Sequence, residues 1–436
     1  MRCVRGALVA LLLFCFPPIA SVRAEDWPQW RGPRLDGSSH EKGLPLKWSA
    51  KDNIVWKAKV PGIGHSSPIV VGDRVYVTSC LLKEEKRMLY CFDRRTGDLL
   101  WDRHVLSSPL EPKHGLNSFA SSTPAADADH VYVSFLKLRK AKEGDKLPKF
   151  NDSSWAKKDL YCQMEVVCYT HKGDEVWRKN PGLFFSRHGF CSPPILYKDM
   201  VIVNGDQDAD GFITALDRKD GSERWRIDRP NHTRSYCAPL IVQAAGRMQM
   251  VLTGSFCTTS YDPDSGKLIW IVDGPTEQFV ASPVYGEGLI FLTAGFPTFH
   301  NMAIRPDGAG NVTKTHVVWH EKTSARKASY VPSPLAYDKW FYMISDLGPL
   351  SCFEAKSGTR LWMEELGRHH SASPVLIDGH VYMTDDDGIT YVIKGGASFD
   401  LVARNELNEK CYSSPAVSQG RILLRTTGHL WSIGPK

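Results

Sequence analysis

An all-β, eight-bladed β-propeller is predicted for this 436-residue chain by three observations. A unit of about 40 residues recurs eight times, each copy opening on a small residue and a proline before a short apolar run, a turn and an alternating strand. Four copies close on one spacing of an acid, three residues, glycine, three residues and tryptophan. The last copy stops one strand short, and a strand with the missing pattern stands alone near the N-terminus. A unit of four short strands cannot bury two faces by itself, so successive sheets must stack on one another.

The first segment is of a different kind. Arg2 and Arg5 precede the apolar run Gly6 to Phe16, and small residues follow at Val22 and Ala24. A basic start, an apolar stretch too short to span a membrane and a small-residue site predict a secretory signal peptide cleaved near Ala24. Cys15 follows Leu12, Leu13 and Phe14, which is not a lipidation context. Residues 1–24 are therefore the expected signal peptide, 25–53 a lead segment and 54–436 the propeller domain, periplasmic or secreted. The formal charge is +6, and cleavage removes Arg2, Arg5 and Arg23 with no acid, so the mature excess is too mild to predict a nucleic-acid partner. No stretch is long and apolar enough for a transmembrane segment.

The repeat starts are Pro68, Pro124, Pro194, Pro239, Pro283, Pro334, Pro374 and Pro415, with successive spacings of 56, 70, 45, 44, 51, 40 and 41 residues. Insertions thus concentrate in the early copies. The second half of the unit reads Asp93 to Trp101, Asp217 to Trp225, Asp262 to Trp270 and Glu354 to Trp362, with Thr170 to Trp177 one residue shorter before its glycine and Trp319 ending a divergent copy. Its physical sense is a hairpin in which the carboxylate accepts backbone N–H bonds, glycine supplies positive φ and tryptophan opens the next strand's buried face. The closing copy runs from Pro415 to Ile433, and Ile54 to Val60 has the pattern of the strand it lacks. Pairing the two would close the ring and remove its open edges.

With these ends at Trp101, Trp225, Trp270 and Trp362 and these serine-proline starts, the sequence resembles the tryptophan-docking repeats of the eight-bladed quinoprotein, or PQQ-like, propellers. The likeness runs from about Ile54 to Ile433, and Asp26 to Pro33 is similar to the tryptophan-rich start of many exported members. The family holds PQQ dehydrogenases and also non-catalytic BamB-type outer-membrane assembly proteins, so the resemblance specifies a fold before an activity. Against catalysis, the chain has no adjacent cysteine pair, no motif matching the calcium ligands of the dehydrogenases, and little sequence beyond one bare propeller. The expected role is a non-catalytic binding or scaffolding module of the cell envelope. The alternative is a PQQ-dependent alcohol or sugar oxidoreductase with PQQ and calcium as cofactors, and a third reading is a carbohydrate-binding propeller.

In such propellers the residues just before each proline lie at one mouth of the central channel. Around the ring these include His65, Asn117, Arg187, His188, Arg234, Gln278, Arg326, Lys327, Arg368, His370 and Lys410, most of them cationic or able to become so. The long insertion Lys137 to Leu160, on the same face, adds eight Lys or Arg against four Asp or Glu. A basic funnel is expected from this bias, suited to an anionic small molecule, an acidic peptide or an envelope protein. The repeated tryptophans and turn acids are structural, and Asp385-Asp386-Asp387-Gly388 is expected to be a turn without a metal. Of the nine cysteines after Ala24, Cys91, Cys168 and Cys352 sit where other copies carry alanine or serine and read as buried filler.

Overall fold

The computed structural model describes residues 25–146, 160–229 and 234–435. The expected signal peptide, most of the Lys137 to Leu160 insertion and His232 lie outside the described residues. The described chain forms eight antiparallel sheets of four core strands each. Blade 1 comprises Ile69–Val71, Arg74–Leu81, Lys86–Asp93 and Leu99–Ser107 from the axis outward. Blades 2 to 7 occupy 125–183, 195–228, 240–273, 284–323, 335–365 and 375–406. Blade 8 takes three strands from 416–433 and its fourth from Ile54–Lys59, which pairs antiparallel with His429–Ile433.

Each blade is sandwiched between two others, so its second and third strands are buried on both faces, as in Arg74–Leu81 and Lys86–Asp93. Fourth strands alternate exposed and half-buried residues, as in Glu223–Asp228. The apolar clusters therefore lie between blades: Tyr76 and Leu89 of blade 1 pack with Val131, Val133 and Val167 of blade 2. The tryptophans fasten the same joints. The indole N–H groups of Trp56, Trp177, Trp225 and Trp319 donate to Arg94, Arg218, Pro263 and Ala355 carbonyls of the following blade, at 2.8, 2.9, 3.1 and 2.8 Å. Their rings lie over Gly97, Gly221, Gly266 and Gly358, where an added Cβ would come within 2.5 to 3.0 Å of the indole. The spaced glycine of the repeat is thus needed twice, for its positive φ and for a bare surface under the neighbouring tryptophan. Trp270 departs from this pattern and bonds Gln249 inside its own blade at 2.8 Å.

The small residue before each proline has a structural task that the repeat alone does not announce. The Ser67 N–H donates to Thr123 Oγ1 (2.9 Å), Ala238 to Ser282 Oγ (2.8 Å), Ser282 to Ser333 (2.9 Å), Ser333 to Ser373 (2.9 Å), Ser373 to Ser414 (2.9 Å), and Ser414 back to Ser67 (3.0 Å). A belt of hydroxyl-to-backbone bonds circles the axis. It is interrupted at blade 3, where Pro193 offers neither an N–H nor a hydroxyl.

The lead segment covers the end of the channel away from the loops. Trp27 exchanges two backbone bonds with Val70 of blade 1, the Pro28 carbonyl accepts from Ala126 of blade 2, and Gln29 Oε1 accepts from Leu196 of blade 3. Arg31 reaches the Pro334 carbonyl of blade 6 (2.7 Å), and Ser38–Ser39 pairs parallel with the first strand of blade 7. The nine cysteines of the described residues are all free thiols, with Cys91, Cys168 and Cys352 fully buried.

Candidate functional site

Loops joining second to third strands, and those joining one blade to the next, gather at the other end of the channel around a cavity of about 440 Å³. His65, Asn117 and His188 stand in its wall, together with His114, His369, Asp346, Tyr236, Tyr330 and Tyr412. Leu116, Phe296, Phe299, Val331 and Leu347 supply its apolar surface. Of the large hydrophobic side chains left exposed among the described residues, Ile63, Leu82, Leu116, Phe256, Phe296 and Leu347 all belong to these loops, and the others lie on outer strands. An apolar set collected on one rim marks a recognition face more than a solvated one.

The remaining sequence-predicted residues are placed differently. Gln278 is buried behind the wall, accepting from the Tyr330 hydroxyl at 2.9 Å. Arg234 is engaged by Asp208 at 2.6 Å and Glu277 at 3.2 Å, and Arg326 by Glu365. Arg187 is exposed, and its backbone N–H donates to Asp208. Arg368 is 91% exposed and 3.7 Å from Asp387. Lys327 and Lys410 are exposed on the rim, while His370 is fully buried between the Leu366 and Thr384 carbonyls. The cationic bias around the ring therefore meets acids, two of them, Asp208 and Asp387, contributed by the loops between second and third strands.

The task of the loop acids as caps and ion-pair partners is what the sequence reading passed over. Two residues past the second strands of blades 6 and 7 stand Asp346 and Asp386, and Asp346 accepts the Tyr330 and Val331 N–H groups at 2.6 and 2.9 Å. Asp386 accepts the Ser371 N–H at 2.8 Å and bonds His369 Nδ1 at 2.6 Å. Asp208 and Ser255 cap the loops of Arg187 and Arg234 in the same manner. The recurrence of a small or acidic residue shortly after the second strand was the available signal. The Asp385 to Gly388 segment is a turn, as expected, with Asp385 Oδ1 accepting from Asp387 and Ile389.

Burial, reinforced by the Arg425 guanidinium, lowers the His65 pKa to about 4. Burial also lowers that of His188, whereas the hydrogen bond to Asp386 raises that of His369. The signs differ accordingly. Stability owed to neutral His65 is complete above its unfolded value of about 6.5 and is lost as pH falls toward 4. Stability owed to His369 is complete below about 6.5 and is lost as pH rises through its higher folded value. Replacing His65 by Phe, which keeps the ring against Tyr412, is expected to flatten the acid limb of the urea-midpoint profile between pH 7 and 4, by up to about 3 kcal/mol. A variant whose acid limb parallels the parent's would refute this.

The wall does not fit pyrroloquinoline quinone with calcium. Among the described residues no three His, Cys, Asp or Glu side chains converge into a metal site. A tricarboxylate would face neutral His65 and a largely aliphatic and aromatic surface, and Arg234, which does not line the cavity, is already engaged by two acids.

An eight-bladed propeller with its variable loops gathered over one axial cavity is the class of protein that this fold and site define. Residues 40–145 and 162–295 match the family described as outer membrane protein assembly factor BamB, and the chain belongs to that PQQ-like family. No curated protein matches the sequence. Among solved structures, BamB from Moraxella catarrhalis is 12% identical, covering 87% of this chain and 99% of its own, with a TM-score of 0.56. The computationally designed Ika8 protein is also 12% identical, with 86% and 99% covered and a TM-score of 0.57. A europium-containing methanol dehydrogenase is 11% identical, with 92% and 90% covered and a TM-score of 0.51. At such identities the likeness is one of fold. No helix of the described residues is long and apolar enough to cross a membrane.

Proposed function

We propose that the chain is an exported, non-catalytic binding module of the cell envelope that takes a largely apolar ligand or partner segment at its axial mouth. The observation that supports this most is the cavity of about 440 Å³ walled by aliphatic and aromatic side chains, with Leu116, Phe296 and Leu347 left 57%, 49% and 41% exposed on its rim. Rigid blades hold these side chains, and carboxylate caps at Asp346 and Asp386 fix the loops that carry them. The family name and the basic, apolar leader with its small residues near Ala24 favour a location in the periplasm or beyond. An envelope protein presenting an apolar segment is accordingly favoured over the acidic peptide that a basic funnel would select.

The neutral dye N-phenyl-1-naphthylamine is expected to bind near one equivalent. Leu116→Glu with Leu347→Glu is expected to weaken it at least about tenfold, because a carboxylate then sits in the apolar contact. Simultaneous alanine at Arg187, Arg234, Arg326 and Arg368 should leave dye binding intact. Partners captured from envelope extracts should be lost with the first variant and kept with the second. Capture that depends on the arginines instead would return the basic funnel, and dye-linked alcohol or sugar oxidation on adding PQQ and calcium would overturn the non-catalytic reading.

A further inference from the structure

Below the mouth cavity the channel narrows to a well of about 110 Å³ with Trp30 in its lining. The two spaces are continuous, sharing His65, Tyr236, Val331 and Tyr412 in their walls. The well is two-sided. Blades 7, 8, 1 and 2 contribute the belt hydroxyls Ser373, Ser414, Ser67 and Thr123, whereas blades 3 to 6 contribute Cys191, Pro193, Ala238, Val280 and Val331. Each of the four hydroxyl oxygens accepts a backbone N–H from the preceding blade at 2.9 to 3.0 Å. A hydroxyl carries one donor as well as its lone pairs, and the hydrogen-bond network of the described residues gives these four O–H groups no acceptor. Four adjacent donors therefore line one side of a small space.

Two buried guanidinium groups belong to residues bonded or adjacent in sequence to neighbours of the well, though neither lines it. Arg425 of blade 8, 1% exposed, bonds the Thr78 carbonyl and the hydroxyl of Ser66, the residue before Ser67, while its Nε and Nη2 stay unsatisfied. Arg31, 2% exposed and adjacent in sequence to Trp30, bonds the Pro334 carbonyl and leaves Nε and Nη1 unsatisfied. Burial lowers both pKa values to about 10, so both remain charged at neutral pH, but the Asp36 carboxylate acts on Arg31, whereas Arg425 forms no ion pair with a carboxylate among the described residues. A desolvated cation without a counterion favours an anion nearby.

We propose that the axial well is a carboxylate site, in which Ser373, Ser414, Ser67 and Thr123 donate to the acid end of an apolar-chain ligand whose body fills the mouth cavity. O–H to carboxylate bonds are charge-assisted and stronger than neutral ones, and a well of about 110 Å³ has room for roughly four water-sized groups. That suits one carboxylate. The inference rests on the apolar mouth proposed above and names the chemistry of its ligand. Such an acid has two sources, a fatty acid or a free peptide C-terminus with apolar last residues.

Calorimetric titration of the full mature chain at pH 8 with decanoate and decanol, and with an apolar tripeptide and its C-terminal amide, tests the proposal. At least one acid is expected to bind about tenfold or more tightly than its neutral twin, and the pair that shows the preference identifies the source. Ser373→Ala with Ser414→Ala should abolish the preference while leaving the neutral twin's affinity unchanged, and Ser373→Thr with Ser414→Thr should keep it, since Thr123 already serves in the belt. Because the alanine pair also removes two belt bonds, Ala238→Leu provides a second variant that fills the well from its apolar side without touching a hydroxyl, and it should weaken the preferred acid at least about tenfold. Acid and neutral twin binding equally well would overturn the carboxylate well and leave the apolar mouth standing. Failure of all four probes to bind would overturn both.

Discussion

Deleting residues 54–60 is expected to abolish cooperative folding of the whole ring. The strand Ile54–Lys59 provides the outer pairing of blade 8, from Ile54 opposite Ile433 to Lys59 opposite His429. Its Trp56 crosses to blade 1, donating to the Arg94 carbonyl and covering Gly97. Without it, blade 8 presents an open edge and blade 1 loses the tryptophan that covers Gly97, so the circle is cut at the seam where the two ends of the ring meet. The deletion should leave a chain lacking near-UV circular dichroism and rapidly digested by protease. Trp56→Ala alone, which removes a large buried ring, is expected to cost about 3–5 kcal/mol in urea unfolding. A deletion product with native near-UV signal and an unchanged urea midpoint would show that the seam is dispensable.

Gly221→Val is expected to destabilise the protein by about 3–5 kcal/mol, since it strains the backbone and displaces an aromatic anchor together. Gly221 holds φ at +71°, and an added Cβ would stand 2.7 Å from the Trp177 ring. Trp177 would have to leave its contact and its 2.9 Å bond to the Arg218 carbonyl. Gly246 makes the comparison sharp. Its φ is +77°, but nothing lies within 4 Å of an added Cβ, so Gly246→Ala should cost only about 1 kcal/mol, the strain alone. Equal losses at the two positions would mean that the indole contact contributes nothing.

Much of the ring was legible before any coordinates, and for a definite reason. Every blade repeats one local problem, a sheet buried on both faces and fastened to its neighbour, so one solution recurs as Ser-Pro starts and Gly-x-x-x-Trp ends. Recurrence also exposed the stray strand at Ile54, because a missing piece is visible against seven complete copies. The mouth was less legible. Its cations could be counted from the segments before each proline, but Asp208, Glu277 and Asp387 of other loops and Glu365 at the end of an outer strand meet Arg234, Arg326 and Arg368. Charge pairing across loops has no period, and a count along the chain does not register it.

The lead segment illustrates the same division. Trp27, Gln29, Arg31 and Ser38 carry no repeat signal, yet they contact blades 1, 3, 6 and 7 across the floor of the channel. Sequence alone determined the fold class, the number of blades, the place of the seam and the structural task of the tryptophans, because each depends on local strand chemistry repeated along the chain. Tertiary structure decided the apolar character of the mouth, the plug beneath it and the hydroxyl-lined well between them. Those features arise where eight separate segments converge on one axis, and only closure of the ring brings them within hydrogen-bonding and ion-pairing distance.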